Sequence, residues 1–205
     1  MSLTDIQKYL FYKLVRSCIK RKKPIGSKLL AKKLKNKLSP PSLRIYLRKI
    51  AQNGYLENVG SGRLPTDKGW YYYLENFKLK PEINLPQNFD LTLWAELTKN
   101  IVFLFEDNLV IKGLKNVINF REKEIVEDLL NLCENLETII KNLRNEFNIL
   151  IGRDLPQSKT KKLSLIAYKD KKRVIGFLGH KINYYHTSLA LLKKLTDNER
   201  GKITN

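Results

Sequence analysis

Arg44, Arg48, Lys49 and Arg63 are the side chains of this 205-residue chain whose types and spacing point most directly to chemistry. All four lie in residues 38–68, L-S-P-P-S-L-R-I-Y-L-R-K-I-A-Q-N-G-Y-L-E-N-V-G-S-G-R-L-P-T-D-K. Guanidinium and ammonium groups donate to phosphate oxygens, and an arginine also forks onto the edge of guanine. Leu43, Leu47 and Ile50 recur at helical spacing and define one buried stripe. Pro41, Ser42, Ile45, Arg48, Lys49 and Gln52 fall mainly outside it, with Arg44 at its edge.

Other candidate chemistry is weaker. His180 and His186 are six positions apart beside a glycine turn, which puts no pair on one helix face. Cys18 and Cys133 stand far apart, each in a helical pattern, with no CxxC or Cys/His spacing, so buried free thiols are expected. Glu122, Glu124, Glu127 and Asp128 open a helix, where carboxylates suit the positive end of its dipole. Gly176-Phe177-Leu178-Gly179 lacks the strand–turn–helix setting of a phosphate loop. The residues ask for no enzyme, metal or cofactor.

The elements around the basic residues explain how they would be held. Ser39 is the expected N-cap of the central helix, with Pro40 at its first position, where a missing N–H does no harm. Gly54 supplies a left-handed stop after Asn53. A hairpin follows: Tyr55-Leu56-Glu57 start it, Gly60-Ser61-Gly62 turn it through positive φ at the tip, and Arg63-Leu64 return. A helix with a basic outer face followed by such a hairpin is the pattern of a winged helix-turn-helix. In that frame Ser42, Arg44 and Tyr46 are the expected major-groove contacts, with Ile45 and Lys49 behind them and Ile45 suited to thymine methyls. Arg48, Lys28 and Lys68 are expected to hold phosphates, and Arg63 to reach the adjacent backbone or minor groove.

Before this stretch, Thr4 is expected to cap a helix over 5–20, with Ile6, Leu10, Leu14 and Cys18 inside, ended by Lys20-Arg21-Lys22-Lys23 and Pro24. Ile25 reads as one short strand. Ser27 reads as the cap of a helix to about residue 35 that buries Leu29, Leu30 and Leu34. After the hairpin, Thr66 or Asp67 caps a helix whose Trp70, Tyr73, Leu74 and Phe77 share helical spacing and pack on the first helix.

The net charge is +19, and its distribution matters more than its size. Residues 1–80 hold 19 Lys and Arg against 4 Asp and Glu, whereas residues 81–205 hold 20 against 16. Such asymmetry is the footprint of a polyanion binder on the first part. No apolar run approaches the roughly 20 residues that span a bilayer. With no signal-peptide core, a cytoplasmic protein with no membrane partner is expected.

Pro81, Pro86 and Gln87-Asn88 mark residues 79–100 as a linker between a first domain (1–78) and a second (101–196), with a tail over 197–205. A short helical candidate lies at 91–97. In the second domain 101–105 and 109–111 read as strands, 121–146 as one amphipathic helix or two broken near Asn135, and 148–151 as a strand. Residues 163–168 and 173–178 form a hairpin, and a helix closes at 184–195. The order β-β-α-β-β-β-α predicts an antiparallel sheet backed by helices, so the fold class is α+β.

The segments P-I-G-S-K-L-L-A-K-K-L (24–34) and G-R-L-P-T-D-K-G-W-Y-Y-Y (62–73) together resemble the heat-inducible transcription repressors, the HrcA family. N-L-V-I-K-G-L-K-N-V, I-L-I-G-R-D-L and R-V-I-G-F-L-G-H-K-I-N-Y-Y-H, with Gly176, Gly179, Tyr184 and Tyr185, resemble the GAF-like sensor domain of the same family. The family's chains are longer, so this chain resembles a shortened member with a reduced GAF-like domain and without the inserted dimerisation segment. Ile45 and Tyr46 stand where the family has a polar pair. The resemblance implies a homodimeric repressor at an inverted repeat in double-stranded DNA upstream of chaperone operons. It also implies release on heat stress and the GroEL chaperonin as a partner. The residues alone leave two other readings open: a general nucleic-acid or RNA-binding winged-helix module, and a metabolite-responsive winged-helix regulator.

Overall fold

A computed structural model describes residues 3–76, 89–117, 122–182 and 185–203. The chain forms two compact units, Met1–Lys78 and Leu79–Asn205, and mixes helices with antiparallel sheet, an α+β architecture.

In the first unit α1 (Asp5–Arg21) opens with a capping box. The Thr4 hydroxyl accepts from the Gln7 N–H, and the Gln7 side chain accepts from the Thr4 N–H. Leu10, Phe11, Leu14, Val15 and Cys18 are buried, but Ile6, expected on that stripe, is exposed. α2 (Ser27–Lys33) is shorter than expected and has Gly26 at its N-cap position. Ser27 is therefore inside the first turn and caps nothing, and Leu29 is only half-buried. α3 (Pro40–Gln52) matches its signals. The Ser39 hydroxyl accepts from the Ser42 N–H, Leu43, Leu47 and Ile50 are fully buried, and Gly54 takes φ +79. Each of those three side chains adds about 1.5–3 kcal/mol by leaving water.

β1 (Leu56–Val59) and β2 (Gly62–Pro65) pair antiparallel through the two-residue turn Gly60-Ser61. Only Gly60 there needs a left-handed backbone. Gly62 serves another purpose: a Cβ on it would sit 2.8 Å from the Pro24 Cβ. That close approach lets Ile25 pair with Arg63 through backbone bonds of 3.0 and 3.1 Å, which makes β2 a middle strand. α4 (Asp67–Asn76) is capped by Thr66, whose hydroxyl accepts from the Gly69 N–H and donates to the Gly54 carbonyl. Trp70 and Tyr73 are fully buried, and Phe11 meets Tyr55 and Tyr72 edge-on, so the aromatic residues belong to the core. Phe77, Pro81, Pro86, Gln87, Asn88, Arg121 and Tyr184 lie outside the described residues.

The second unit begins earlier than a linker over 79–100 would allow. α5 (Leu91–Thr98) is capped by Asp90 and buries Trp94, Ala95 and Thr98. Trp94 stacks on Phe177 at 5.8 Å. The sheet has the order β4-β3-β7-β6-β5, every neighbour antiparallel. Its strands are β3 (Ile101–Phe105), β4 (Leu109–Lys112), β5 (Glu146–Ile151), β6 (Leu163–Lys169) and β7 (Val174–His180). Side-chain alternation sends Phe103, Leu165 and Leu178 to one core with α6 (Lys123–Glu134) and α7 (Leu136–Lys141). Phe177 points the other way, towards α5. On that face Asn100 also hydrogen-bonds Ser188 of α8 (Tyr185–Ile203). Burial on both faces is why β6 and β7 read as continuous apolar runs. The helix break falls at Asn135, whose amide bonds the Asn131 carbonyl. α8 runs to Ile203, so the expected tail from 197 continues the helix.

Candidate nucleic-acid interface

α3 carries the candidate surface. Its buried stripe leaves Arg44, Ile45, Arg48 and Lys49 exposed, and Ile45, at 58%, is the most exposed large apolar side chain among the described residues. Ser42 sits in the first turn, half-buried, its hydroxyl 2.9 Å from that of the capping Ser39. Tyr46 is also half-buried: helical geometry puts it next to the Leu43–Leu47–Ile50 stripe rather than opposite it. Lys28 is exposed in the first turn of α2.

Lys68 has a different place from the one its charge suggests. Its ammonium donates to the Asn53 carbonyl at 3.0 Å, at the C-terminus of α3, and lies 4.6 Å from the centre of the Tyr55 ring. A cation there satisfies a free carbonyl and the negative end of the helix dipole. Lys68 thus fastens α4 to α3.

Arg63 is not at the hairpin tip but one residue into β2, opposite Asn58. Cross-strand partners share a face, and Leu56 with Pro65 marks the core face, so Arg63 and Asn58 lie on that side. Glu57, paired with Leu64, faces away. The Arg63 guanidinium is half-buried and held below its ordinary pKa, first by burial and then by the charge of Arg48. It remains a full cation at neutral pH. A second like-charged group forms where α1 and α2 end: burial, then Arg21 and Lys20, lower the pKa of Lys33.

Sequence reasoning missed one contact. The Arg44 Nε–H donates to the Ser27 hydroxyl at 3.4 Å, so the residue expected to cap α2 is a partner of α3. Nothing in the spacing pairs residues 27 and 44; only the packing of α2 on α3 does.

The second unit supplies less chemistry. His180 Nδ1 accepts from the Ile182 N–H at 3.0 Å, a turn-forming role. Of His186 only its place in α8 is described. A hollow of about 240 Å³ is lined by Glu124, Glu127, Asp128, Asn131, Lys159 and Thr160. The Asp128 carboxylate there is saturated by protein donors from residues 158–160. Among the described residues no group of three or more His, Cys, Asp or Glu is placed to hold a metal, and no helix is long and apolar enough to cross a membrane.

Residues 76–185, more than half of the chain, match the family model described as HrcA protein C terminal domain. The chain is 24% identical over 192 residues to the heat-inducible transcription repressor HrcA of Aster yellows witches'-broom phytoplasma, covering 92% of this chain and 48% of that protein. It is 25% identical over 235 residues to the protein of the same name from Thermoanaerobacter pseudethanolicus, covering 97% of this chain and 67% of that one. The chain thus spans about half to two thirds of the length of these relatives. A crystal structure described as that of a hypothetical protein superposes with a TM-score of 0.79 at 15% identity, over 96% of this chain and 97% of that one, which shows a shared fold. On the family match, this chain belongs to the HrcA family.

Proposed function

We propose that the chain is a sequence-specific DNA-binding transcriptional repressor, with a winged helix-turn-helix as its first unit and a reduced GAF-like domain as its second. The observation that carries this reading is the placement of charge. Residues 1–80 hold the larger part of the +19 excess, and α3 turns Arg44, Ile45, Arg48 and Lys49 to solvent beside a glycine-tipped hairpin. Arg44, Ile45, Lys49 and Ser42 would read base edges, while Arg48, Lys28 and Arg63 hold phosphates and fix register. Tyr46, half-buried beside the stripe, would join the base-reading residues from its edge, and Lys68 holds the C-terminal end of α3.

The name of the relatives, heat-inducible transcription repressor, supports release on heat stress, and chaperone operons are the proposed targets. A homodimer on an inverted repeat and restoration through the GroEL chaperonin complete the reading, in the cytoplasm and without catalysis. Fluorescence anisotropy on the family's inverted-repeat duplex and a scrambled duplex, across a salt series, tests it. Both affinities fall with salt as counterions are released. A preference of roughly a thousandfold or more for the operator at physiological salt is expected. Coincident curves would leave only a general nucleic-acid binder.

A further inference from the structure

We propose that Arg48 and Arg63 act as one phosphate clamp, gripping a single phosphodiester of the duplex between α3 and β2. The inference rests on the DNA-binding reading above and adds to it a shared ligand for two residues from different elements.

Three observations bring the flank of α3 that carries Arg48 towards β2, the strand of Arg63. Arg44 reaches Ser27 from the α3 flank that also carries Arg48, one turn later. Gly26, beside Ser27, lies against the hairpin turn, where a Cβ would be 3.3 Å from the Ser61 carbonyl. Ile25, the residue before, is bonded on both backbone sides to Arg63. The connection between α1 and α2 therefore spans the gap between that α3 flank and β2. Arg48 is near enough to Arg63 for its charge to oppose protonation there, behind the larger effect of burial.

The site has the character of one built for an anion. Arg63 Nε is buried, and no acceptor among the described residues takes its hydrogen. A buried donor of a charged group left unbonded is costlier than a cation open to water. The strand pairing turns Glu57 to the opposite face of the hairpin, and Asp5 pairs with Lys8 at the far end of α1. A phosphodiester entering between the guanidinium groups would satisfy Nε, offset the like-charge repulsion and accept forked hydrogen bonds. The middle-strand position of β2 holds Arg63 in place beforehand, unlike a residue at a hairpin tip.

A double-mutant cycle on the full chain tests this, with Arg48→Gln, Arg63→Gln and both, read by duplex anisotropy against salt. If the two share one phosphate, each single variant loses roughly tenfold in affinity and the double loses little more. The salt slope then falls by about 0.9 once, in all three variants alike. Multiplying losses and a slope that falls twice would overturn the clamp while leaving duplex binding intact. A wild-type chain that does not bind duplex at all would overturn both readings. Urea unfolding followed at Trp70 in a Trp94→Phe background checks that each variant folds. Should Arg63→Gln fail to fold, Arg63→Lys keeps the charge without the fork and is expected to show the same non-additive loss with Arg48→Gln.

Discussion

Asp128→Asn should destabilise the second unit by about 2–4 kcal/mol. The carboxylate on α6 is 2% exposed and accepts four hydrogen bonds from residues 158–160. Oδ2 takes the Ser158 hydroxyl at 3.0 Å, the Thr160 N–H at 2.9 Å and the Thr160 hydroxyl at 2.7 Å. Oδ1 takes the Lys159 N–H at 2.9 Å. An asparagine has one acceptor oxygen. Its best orientation keeps the three bonds of Oδ2, now without charge, and turns an NH2 towards the Lys159 N–H, leaving that donor unsatisfied. An unbonded buried donor costs about 1–3 kcal/mol, and loss of the charge weakens the remaining bonds.

The assay is urea unfolding in a Trp70→Phe background, where Trp94 becomes the sole indole and reports the second unit. Burial alone would raise the Asp128 pKa. The donors of Lys159, Thr160 and Ser158 outweigh it and hold the group below its ordinary 3.8. Because the folded pKa is the lower one, this stabilisation is complete above the unfolded value and is lost as pH falls through the folded value. The gap between parent and variant should therefore be full at pH 7 and shrink below about pH 4. Stabilities within about 0.5 kcal/mol at pH 7, the range of an ordinary surface change, would refute the reasoning.

Gly69→Ala should destabilise the first unit by about 1–3 kcal/mol or more, because its Cβ would lie 2.2 Å from the Tyr55 carbonyl oxygen; Trp70 emission in urea, in a Trp94→Phe background, reads the loss. Arg44→Ala should weaken operator binding by roughly 1–3 kcal/mol, and an unchanged operator-to-random ratio would reject its reading role. Burial pushes the Cys18 thiol up to about 12, so at pH 8 it should react with a disulfide reagent only as fast as the first unit opens; labelling within seconds would contradict that. If heat acts through the second unit, calorimetry should resolve a lower, concentration-dependent transition accompanied by a change at Trp94. A single concentration-independent transition well above the inducing temperature would exclude it.

The most family-specific stretch proves to be mainly a packing device. In G-R-L-P-T-D-K-G, Gly62 admits Pro24, Thr66 joins α4 to Gly54, Lys68 caps α3, and Gly69 makes room for the Tyr55 carbonyl. In N-L-V-I-K-G-L-K-N-V, Gly113 takes φ +86 and lies against Ala95, while the Asn116 amide donates to the carbonyls of Ala95 and Asn100. Both segments hold elements together, and Arg63 is the residue of either that meets the candidate interface.

What the sequence determined by itself is whatever depends on neighbours along the chain. Thr4 and Ser39 cap their helices, Leu43, Leu47 and Ile50 form the stripe of α3, Gly54 ends it, and Asn135 breaks the long helix. Caps, periodicity and turn chemistry act within a few residues, so their signal survives in the linear order. What depends on side chains meeting from distant elements was decided only by the tertiary structure. The pairing of Ser27 with Arg44, the bond of Lys68 to the end of α3, and the Ile25 bridge that makes the strand of Arg63 a middle one are all of this kind. So is the incorporation of α5 into the second unit, through Trp94 stacked on Phe177 and Gly113 pressed on Ala95. A cation's role depends on whether the nearest acceptor is a helix end, an aromatic ring or an open surface. That is set by how helices and strands pack, which no local spacing records.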